Sequence, residues 1–480
     1  MARQVVVIGA GVGGLSAAIH LRLRGFDVLV LERQAIPGGK AAEINVQGYR
    51  LDPGPSIVIL KRLYDALFLE AGRRVEDYIR FQPLDPFTRV FFEGQPSVDL
   101  PADREACLDV LSDRFPKDAL SLRRLLERAD RIIGDVDRTV FKRPFDYPWQ
   151  LAKFGMIRIS SALGGQKPYK QVVDRWFQSP GLRAFFYGFP SYGGQTYDSV
   201  APGAFLIPYL MLSEGVYYPE GGVAQIPKSL HRLAAELGVE FRFSGPVSGL
   251  KIDGNRIQAA ITADGPVDAD SFVCNLDRFT AGEWLGRHID LSPSLSYFTV
   301  HWGLNRVQKE LIYHNLFVPS DFELGFEQLY RQRRFPDSPI VYINATSAVD
   351  PGVAPEGCSN IFAVATSQAM TDNLDWRALL PSARESVLGS LAKCGFEFDQ
   401  GSIEFERIQT PITFAERDGN YRGSLYGADE RYRLFGMMPP RNWDEEYRNL
   451  YYCGGSVQPG AGLPMVLLSG KFAAERVGKR

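Results

Sequence analysis

Gln4-Val5-Val6-Val7-Ile8-Gly9-Ala10-Gly11-Val12-Gly13-Gly14-Leu15 contains the reading that decides the fold. The β-branched run suits a strand buried on both faces. Glycines follow it, and Leu15, Ala18, Ile19 and Leu23 then recur at helical spacing until Gly25 ends the helix. Asp27 to Leu31 reads as a second buried strand, so the opening is a βαβ unit. Within Gly-x-Gly-x-x-Gly, Gly9 permits a tight turn and Gly11 lets backbone approach a pyrophosphate. Gly14 lets the helix pack closely on the strand, and the helix N-terminus faces the negative charge. Glu32, at the end of the second strand, is placed to bind a ribose diol and to repel a 2′-phosphate. The unit predicts a dinucleotide site.

Outward from this unit the chain turns irregular at Gly38-Gly39 and through a loop from Gly48 to Ser56. Residues from about Leu60 to Pro202 carry helical signals, aromatic and basic segments, and few strands. A helix from Ile226 to Leu237 precedes strands at Val239 to Phe243, Val247 to Ile252, Arg256 to Thr262 and Ser271 to Cys274. Asp253-Gly254-Asn255 and Asp264-Gly265 are the turns between them. Strands are also expected at Tyr297 to Leu304, Ile340 to Ala345 and Ile361 to Ala365. Leu450 to Arg480 reads as strand, glycine loop and helix. No fixed-period repeat is visible. The expected organisation is a nucleotide domain assembled from residues 1–60, 216–290 and 441–480, a mostly helical lid and substrate region at 61–215, and a mixed-sheet substrate domain at 291–440.

Composition removes several classes. With 480 residues, a core of more than one domain is expected. A net charge of −2 gives no general attraction for nucleic acid. Cys107, Cys274, Cys358, Cys394 and Cys453 are scattered and form no Cys-x-x-Cys pair, which argues for a reducing compartment and against a zinc site. The five histidines show no metal-ligand spacing, so no metal is expected. The longest apolar stretch, Ala204 to Leu212, contains Pro208 and falls far short of the about 20 residues a membrane-spanning helix needs.

Glu32-Arg33 with Gly38-Gly39-Lys40 is similar to the second signature of the FAD-binding amine oxidase and carotenoid desaturase group. The resemblance implies FAD, with Arg33 and Lys40 as partners for phosphates and Gly39 beside the pyrophosphate. Asn449 to Ser469, containing Cys453-Gly454-Gly455-Ser456-Val457-Gln458-Pro459-Gly460-Ala461-Gly462-Leu463-Pro464-Met465, closely resembles the C-terminal signature of bacterial-type phytoene desaturases and related carotenoid oxidoreductases. Gly48 to Ser56 looks like their loop beside the flavin, which brings in Pro55 and Ser56. Val216 to Gly222 is similar to the segment before the strand that meets adenine, here near Val247. Asp350 to Cys358, Leu374 to Trp376 and Thr410 to Gly427 extend the resemblance over nearly the whole chain. Two positions depart from it: Gln458 stands where histidine is frequent, and Val457 where threonine is common. The glycine loop feeds a helix near Leu463 whose unpaired amides suit the negative charge of a reduced flavin, so Gly462, Leu463, Pro464 and Met465 are the expected ring contacts.

The resemblance implies an α/β protein with a Rossmann-like FAD-binding domain and a carotenoid desaturase activity. Allylic hydrogens would leave a long polyisoprenoid, with hydride going to flavin N5. Alternatives in the same class are a late-pathway desaturase, a carotenoid oxygenase and a polyene isomerase. An amine oxidase and a non-enzymatic prenyl-binding escort are more distant. A hydrocarbon offers no polar handle, so an apolar tunnel is expected, lined by Phe185, Phe186, Tyr187, Phe189 and Tyr192, with Phe205 and Tyr209. Glu416 and Arg417 are candidate proton or charge partners, Gln458 is a third candidate, and Asp52 reads as a loop-organising carboxylate. Phe141 to Leu163 mixes Lys142, Arg143, Lys153 and Arg158 with Phe145, Tyr147, Trp149 and Phe154. That mixture suits peripheral contact with a membrane surface, here the inner face of the cell membrane from the cytoplasm. The expected electron acceptor is oxygen or a quinone.

Overall fold

A computed structural model describes residues 3–147, 149–150, 155–371, 374–397, 399–429 and 439–479. Its centre is a five-stranded parallel sheet that takes strands from distant parts of the chain. Leu450–Tyr452, Ser271–Cys274, Gln4–Ile8, Asp27–Leu31 and Glu240–Arg242 lie side by side in that order. The continuous apolar run Val5 to Ile8 follows from burial on both faces. Val5 and Val7 pack with Leu15, Ile19 and Leu467 of the helices Val12–Leu23 and Leu463–Arg476. Val6 and Ile8 point the other way, against Ile257 and Ala260 of a three-stranded antiparallel sheet formed by Val247–Asp253, Arg256–Thr262 and Gly265–Asp268.

A second, seven-stranded sheet runs Ile403–Gln409, Ser296–Leu304, Ser359–Ser367, Val341–Asn344, His314–Val318, Thr88–Phe92 and Val98–Leu100. All neighbours are antiparallel except Thr88–Phe92 beside His314–Val318. One face is covered by the helix Trp376–Lys393, through Trp376, Val387 and Leu391. On the opposite face lie the helices Pro180–Tyr187 and Leu206–Glu214 of the long insertion. The stretch from Leu60 to Pro202 is mostly helical with few strands, as expected, and two of those few, Thr88–Phe92 and Val98–Leu100, complete the second sheet. One expectation needs correcting: Gly48 to Ser56 is not wholly irregular, since Tyr49–Leu51 pairs with Ile44–Val46 in a short hairpin. In both cases three to five residues are too few for alternation to stand out from the surrounding sequence.

Candidate functional site

The glycines of the first turn stand where no side chain fits. A Cβ on Gly14 would collide with the Gly9 carbonyl oxygen, and Gly9 itself has a φ of +101°. Cβ atoms on Gly11 and Gly13 would each come within 2.7 Å of the Asn275 side chain. Asn275 follows the strand Ser271–Cys274, and its amide is the one side chain common to Gly9, Gly11, Gly13, Gly14 and Gly454. The sequence reading missed it, although a polar residue directly after a parallel strand was the available signal. Glu32 is buried, and its carboxylate accepts hydrogen bonds from the amides of Ala10 at 2.6 Å and Gln34 at 2.8 Å. The acidic side chain is thus anchored to the glycine turn. Arg33 is exposed.

Gly38 and Gly39 both have positive φ, and Gly38 bridges to Gly11, bringing the second glycine signature against the first. A Cβ on Gly54 would strike the Lys40 carbonyl, which seats the Pro53 to Ser56 loop on that turn. Lys40 is solvent-accessible and yet enclosed by protein, as befits a side chain opening onto a cleft. Enclosure lowers its pKa below the ordinary lysine value; the Asp418 and Asp277 carboxylates offset this, and Arg417 adds to it. Asp52 accepts from the amides of Val223 at 3.0 Å and Ala224 at 3.4 Å, ahead of the helix Gln225–Glu236. It organises the loop as expected. Pro55 is half-buried and Ser56 is buried. Val247 is half-buried in the first strand of the three-stranded sheet.

At the other end of the chain, Gly454 has a φ of +109° and its amide donates to Ser469 Oγ at 3.1 Å. A Cβ on Gly455 would press on Ala461, and Ser456 Oγ accepts from the Arg278 amide at 2.8 Å. Gly462 has a φ of +101° with open space beside it. It starts the helix Leu463–Arg476, which has no side-chain cap, so its first amides remain available to an anion. Leu463 and Pro464 are buried and Met465 is half-buried. Further along this helix, Gly470 lies so close to the first helix that a Cβ would collide with the Gly13 carbonyl, while Ser16 Oγ donates to the Leu467 carbonyl at 2.6 Å. Both ends of the chain therefore build one cleft, and its donor set fits a bound dinucleotide.

The three catalytic candidates separate. Gln458 donates through Nε2 to the Phe145 carbonyl at 2.7 Å and accepts the Phe145 amide at 2.6 Å. Its amide group is committed to that backbone, so Gln458 clamps the insertion. Glu416 is exposed and has no hydrogen bond or ion pair among the described residues. Arg417 holds Asp418 bidentately at 2.9 and 2.7 Å and acts on Lys40, so it belongs to the cleft. Asp277, also missed in the sequence, is half-buried there; desolvation raises its carboxyl pKa while Lys40 and nearby amides counter the rise.

Between the second sheet and the insertion lie two cavities that share Phe185 and Met211 in their walls. The deeper one is bounded by side chains such as Leu108, Leu125, Phe186, Phe205 and Tyr209. The other reaches the Ser56 loop, with Phe189, Tyr192, His314 and Tyr342 in its wall, and Tyr342 OH lies 2.8 Å from Ser56 Oγ. Of the expected tunnel aromatics only Tyr187 lines neither cavity; it is tied to Asp174 and Lys170 instead. On the outer surface Tyr147 and Trp149 stack at 4.4 Å and are exposed, with Arg441 over the Tyr147 ring at 5.3 Å. Lys142, Arg143 and Arg158 are exposed too, whereas Phe145 is buried; Lys153 and Phe154 lie outside the described residues. Among the described residues no helix is long and apolar enough to cross a membrane, and no cluster is suited to a metal ion.

Known proteins resemble this chain in sequence and in fold. Residues 12–314 match the family described as flavin containing amine oxidoreductase. The zeta-carotene-forming phytoene desaturase of Myxococcus xanthus is 32% identical, over 99% of this chain and 94% of that protein. The 4,4'-diapolycopene oxygenase of a Methylomonas species is also 32% identical, over 99% and 98%. An oxidoreductase of Methanosarcina mazei has the same fold, with a TM-score of 0.66 at 16% identity, covering 98% of this chain and all of that one.

Proposed function

The chain belongs to the family of flavin-containing amine oxidoreductases and is an FAD-dependent oxidoreductase, and on that premise we propose that it desaturates a long, carotenoid-like polyisoprenoid. The observation that carries this reading is the pair of apolar cavities in series from the Ser56 loop. Both are walled largely by apolar side chains, and they lie end to end along shared residues, an arrangement suited to an extended hydrocarbon chain. FAD, when bound, supplies the acceptor for the hydride of an allylic C–H bond.

The protein's own residues hold and orient. Gly11, Gly14 and Gly39 bring backbone to the pyrophosphate, Glu32 holds the ribose, and Lys40 balances phosphate charge. The open amides of Gly462, Leu463 and Met465 would favour the negative charge gained on reduction, Pro464 having no N–H to offer. Phe185, Phe189 and Leu316 exclude water and align the polyene by shape, since a hydrocarbon gives no hydrogen bond to use. Delivery from a bilayer is part of the proposal: Tyr147, Trp149 and the nearby cations form a surface for peripheral contact with the inner face of the cell membrane. Electrons then pass to oxygen or a quinone.

Anaerobic incubation of the FAD-loaded protein with liposomes carrying phytoene, lycopene and hydroxylated carotenoids tests the reading. Bleaching of the flavin band together with a longer conjugated product supports it; an unchanged spectrum with every polyene sinks it. The equal identity to an oxygenase favours oxygen insertion as a second reading, which labelled dioxygen appearing in the product would establish.

A further inference from the structure

His314 is 1% exposed and stands on the sheet face that floors the cavity beside the Ser56 loop. Its Nδ1 lies 2.6 Å from Tyr342 OH, which in turn lies 2.8 Å from Ser56 Oγ. The other ring nitrogen, Nε2, is buried with no hydrogen-bond partner. Burial holds the imidazole pKa down at about 3, so the ring is neutral at physiological pH. A neutral imidazole keeps one N–H and one lone pair. If the Tyr342 hydroxyl donates to Nδ1, Nε2 carries the proton; if Nδ1 donates to Tyr342, Nε2 carries the lone pair. Either way one hydrogen-bonding position is left unmet on a residue that lines an otherwise largely apolar cavity.

Native proteins seldom leave such a position unmet, and each exception calls for an explanation such as a functional role, an ordered water or an ion. The neighbouring cavity offers a control. Its tyrosine, Tyr209, turns its hydroxyl away to donate to Asp130 at 2.8 Å. A plain hydrocarbon serves that deeper cavity fully and leaves Nε2 of His314 stranded. A hydroxyl, which both donates and accepts, satisfies Nε2 in either tautomer.

Resting on the polyene reading above, we propose that His314 recognises an oxygen substituent on the polyene through Nε2. It thereby sets a preference for a hydroxyl-bearing polyisoprenoid over the parent hydrocarbon. The oxygen-bearing part lies beside the Ser56 loop, and the hydrocarbon remainder passes Phe185 and Met211 into the deeper cavity. A site with a buried hydrogen-bonding group discriminates against the analogue that lacks the matching group far more strongly than an apolar pocket discriminates by size.

The test is equilibrium binding to the FAD-loaded, full-length protein, read by fluorescence quenching. The probes are two acyclic carotenoids of equal carbon number, one with a terminal hydroxyl and one without. The wild-type protein is expected to favour the hydroxylated probe by about tenfold to a hundredfold in Kd. His314→Phe brings the ratio to about one, and His314→Gln, whose amide reaches toward the same point, restores part of it. Retained flavin reports that each variant is folded. A wild-type ratio within about twofold overturns the assignment whatever the variants do. Tight, discriminating binding without flavin reduction sinks the desaturation reading and leaves His314 as the oxygen reader; failure of both probes to bind overturns both.

Discussion

The dinucleotide cleft and the pair of apolar cavities recognise their ligands by opposite means. In the cleft, backbone meets backbone: Gly14 on Gly9, Gly54 on Lys40 and Gly470 on Gly13 are all too close for a Cβ. Around the cavities, side chains from the insertion and from the second sheet surround a volume, and any one of them has neighbours able to repack. A backbone-lined site is therefore unforgiving and concentrated in short motifs. A site lined by side chains is tolerant and dispersed.

The largest test of that contrast is Gly14→Val. With the Gly9 carbonyl in the way, the substitution is expected to cost about 3 kcal/mol or more and to leave the purified protein without flavin. A stoichiometric flavin content would break the comparison at its strongest point. Glu32→Ala comes next. Losing a carboxylate that accepts from Ala10 and Gln34 and holds the ribose should weaken FAD binding by about tenfold to a hundredfold, measured by equilibrium dialysis.

Asp444, behind the strand Leu450–Tyr452 of the parallel sheet, adds a test through pH. Burial raises its carboxyl pKa, but Arg287, the Tyr447 amide and the Tyr452 hydroxyl outweigh burial and hold it down at about 2. A pKa depressed in the folded state means stability that is present above about pH 4 and lost as pH falls through about 2. Asp444→Asn should cost about 2 kcal/mol at neutral pH and flatten the acid limb of the stability curve, as denaturant titrations at several pH values would show. Phe185→Trp, at the junction of the cavities, should slow flavin reduction by a long polyene about tenfold, with FAD content retained. Equal losses of both would erase the distinction. Smallest of all, Glu416→Gln on the exposed side of its helix should change turnover by no more than about twofold.

The same contrast governs what could be read in the sequence. The first βαβ unit, the glycine pairs and the last helix were legible because each depends on residues only a few positions apart. His314–Val318 was not, since His314 and Asn315 interrupt its apolar run, whereas Ile403-Glu404-Phe405-Glu406 does alternate with the strand period of two, a signal present in the sequence but short. Asn275 escaped because its role depends on glycines hundreds of residues away. Gln458 was legible as a departure from the family pattern, but its use was not. Its partner is the backbone of Phe145, and a backbone partner leaves no mark in sequence. The tunnel aromatics were found as a cluster, while the arrangement of two chambers meeting at Phe185 and Met211 needed the tertiary fold.

The contact between Gly470 and Gly13 also sets a schedule for biosynthesis. A ribosome delivers the first helix early, and its packing partner some four hundred and fifty residues later (470 minus 13). At about 5–20 residues per second, that interval is on the order of half a minute or more. Throughout it the strand Ser271–Cys274, once made, lacks its neighbour Leu450–Tyr452, and Leu15 and Ile19 lack Leu467. The nascent chain must therefore carry an unpaired strand edge and a bare apolar helix face until its final segment emerges, which makes it a natural client for chaperones during translation.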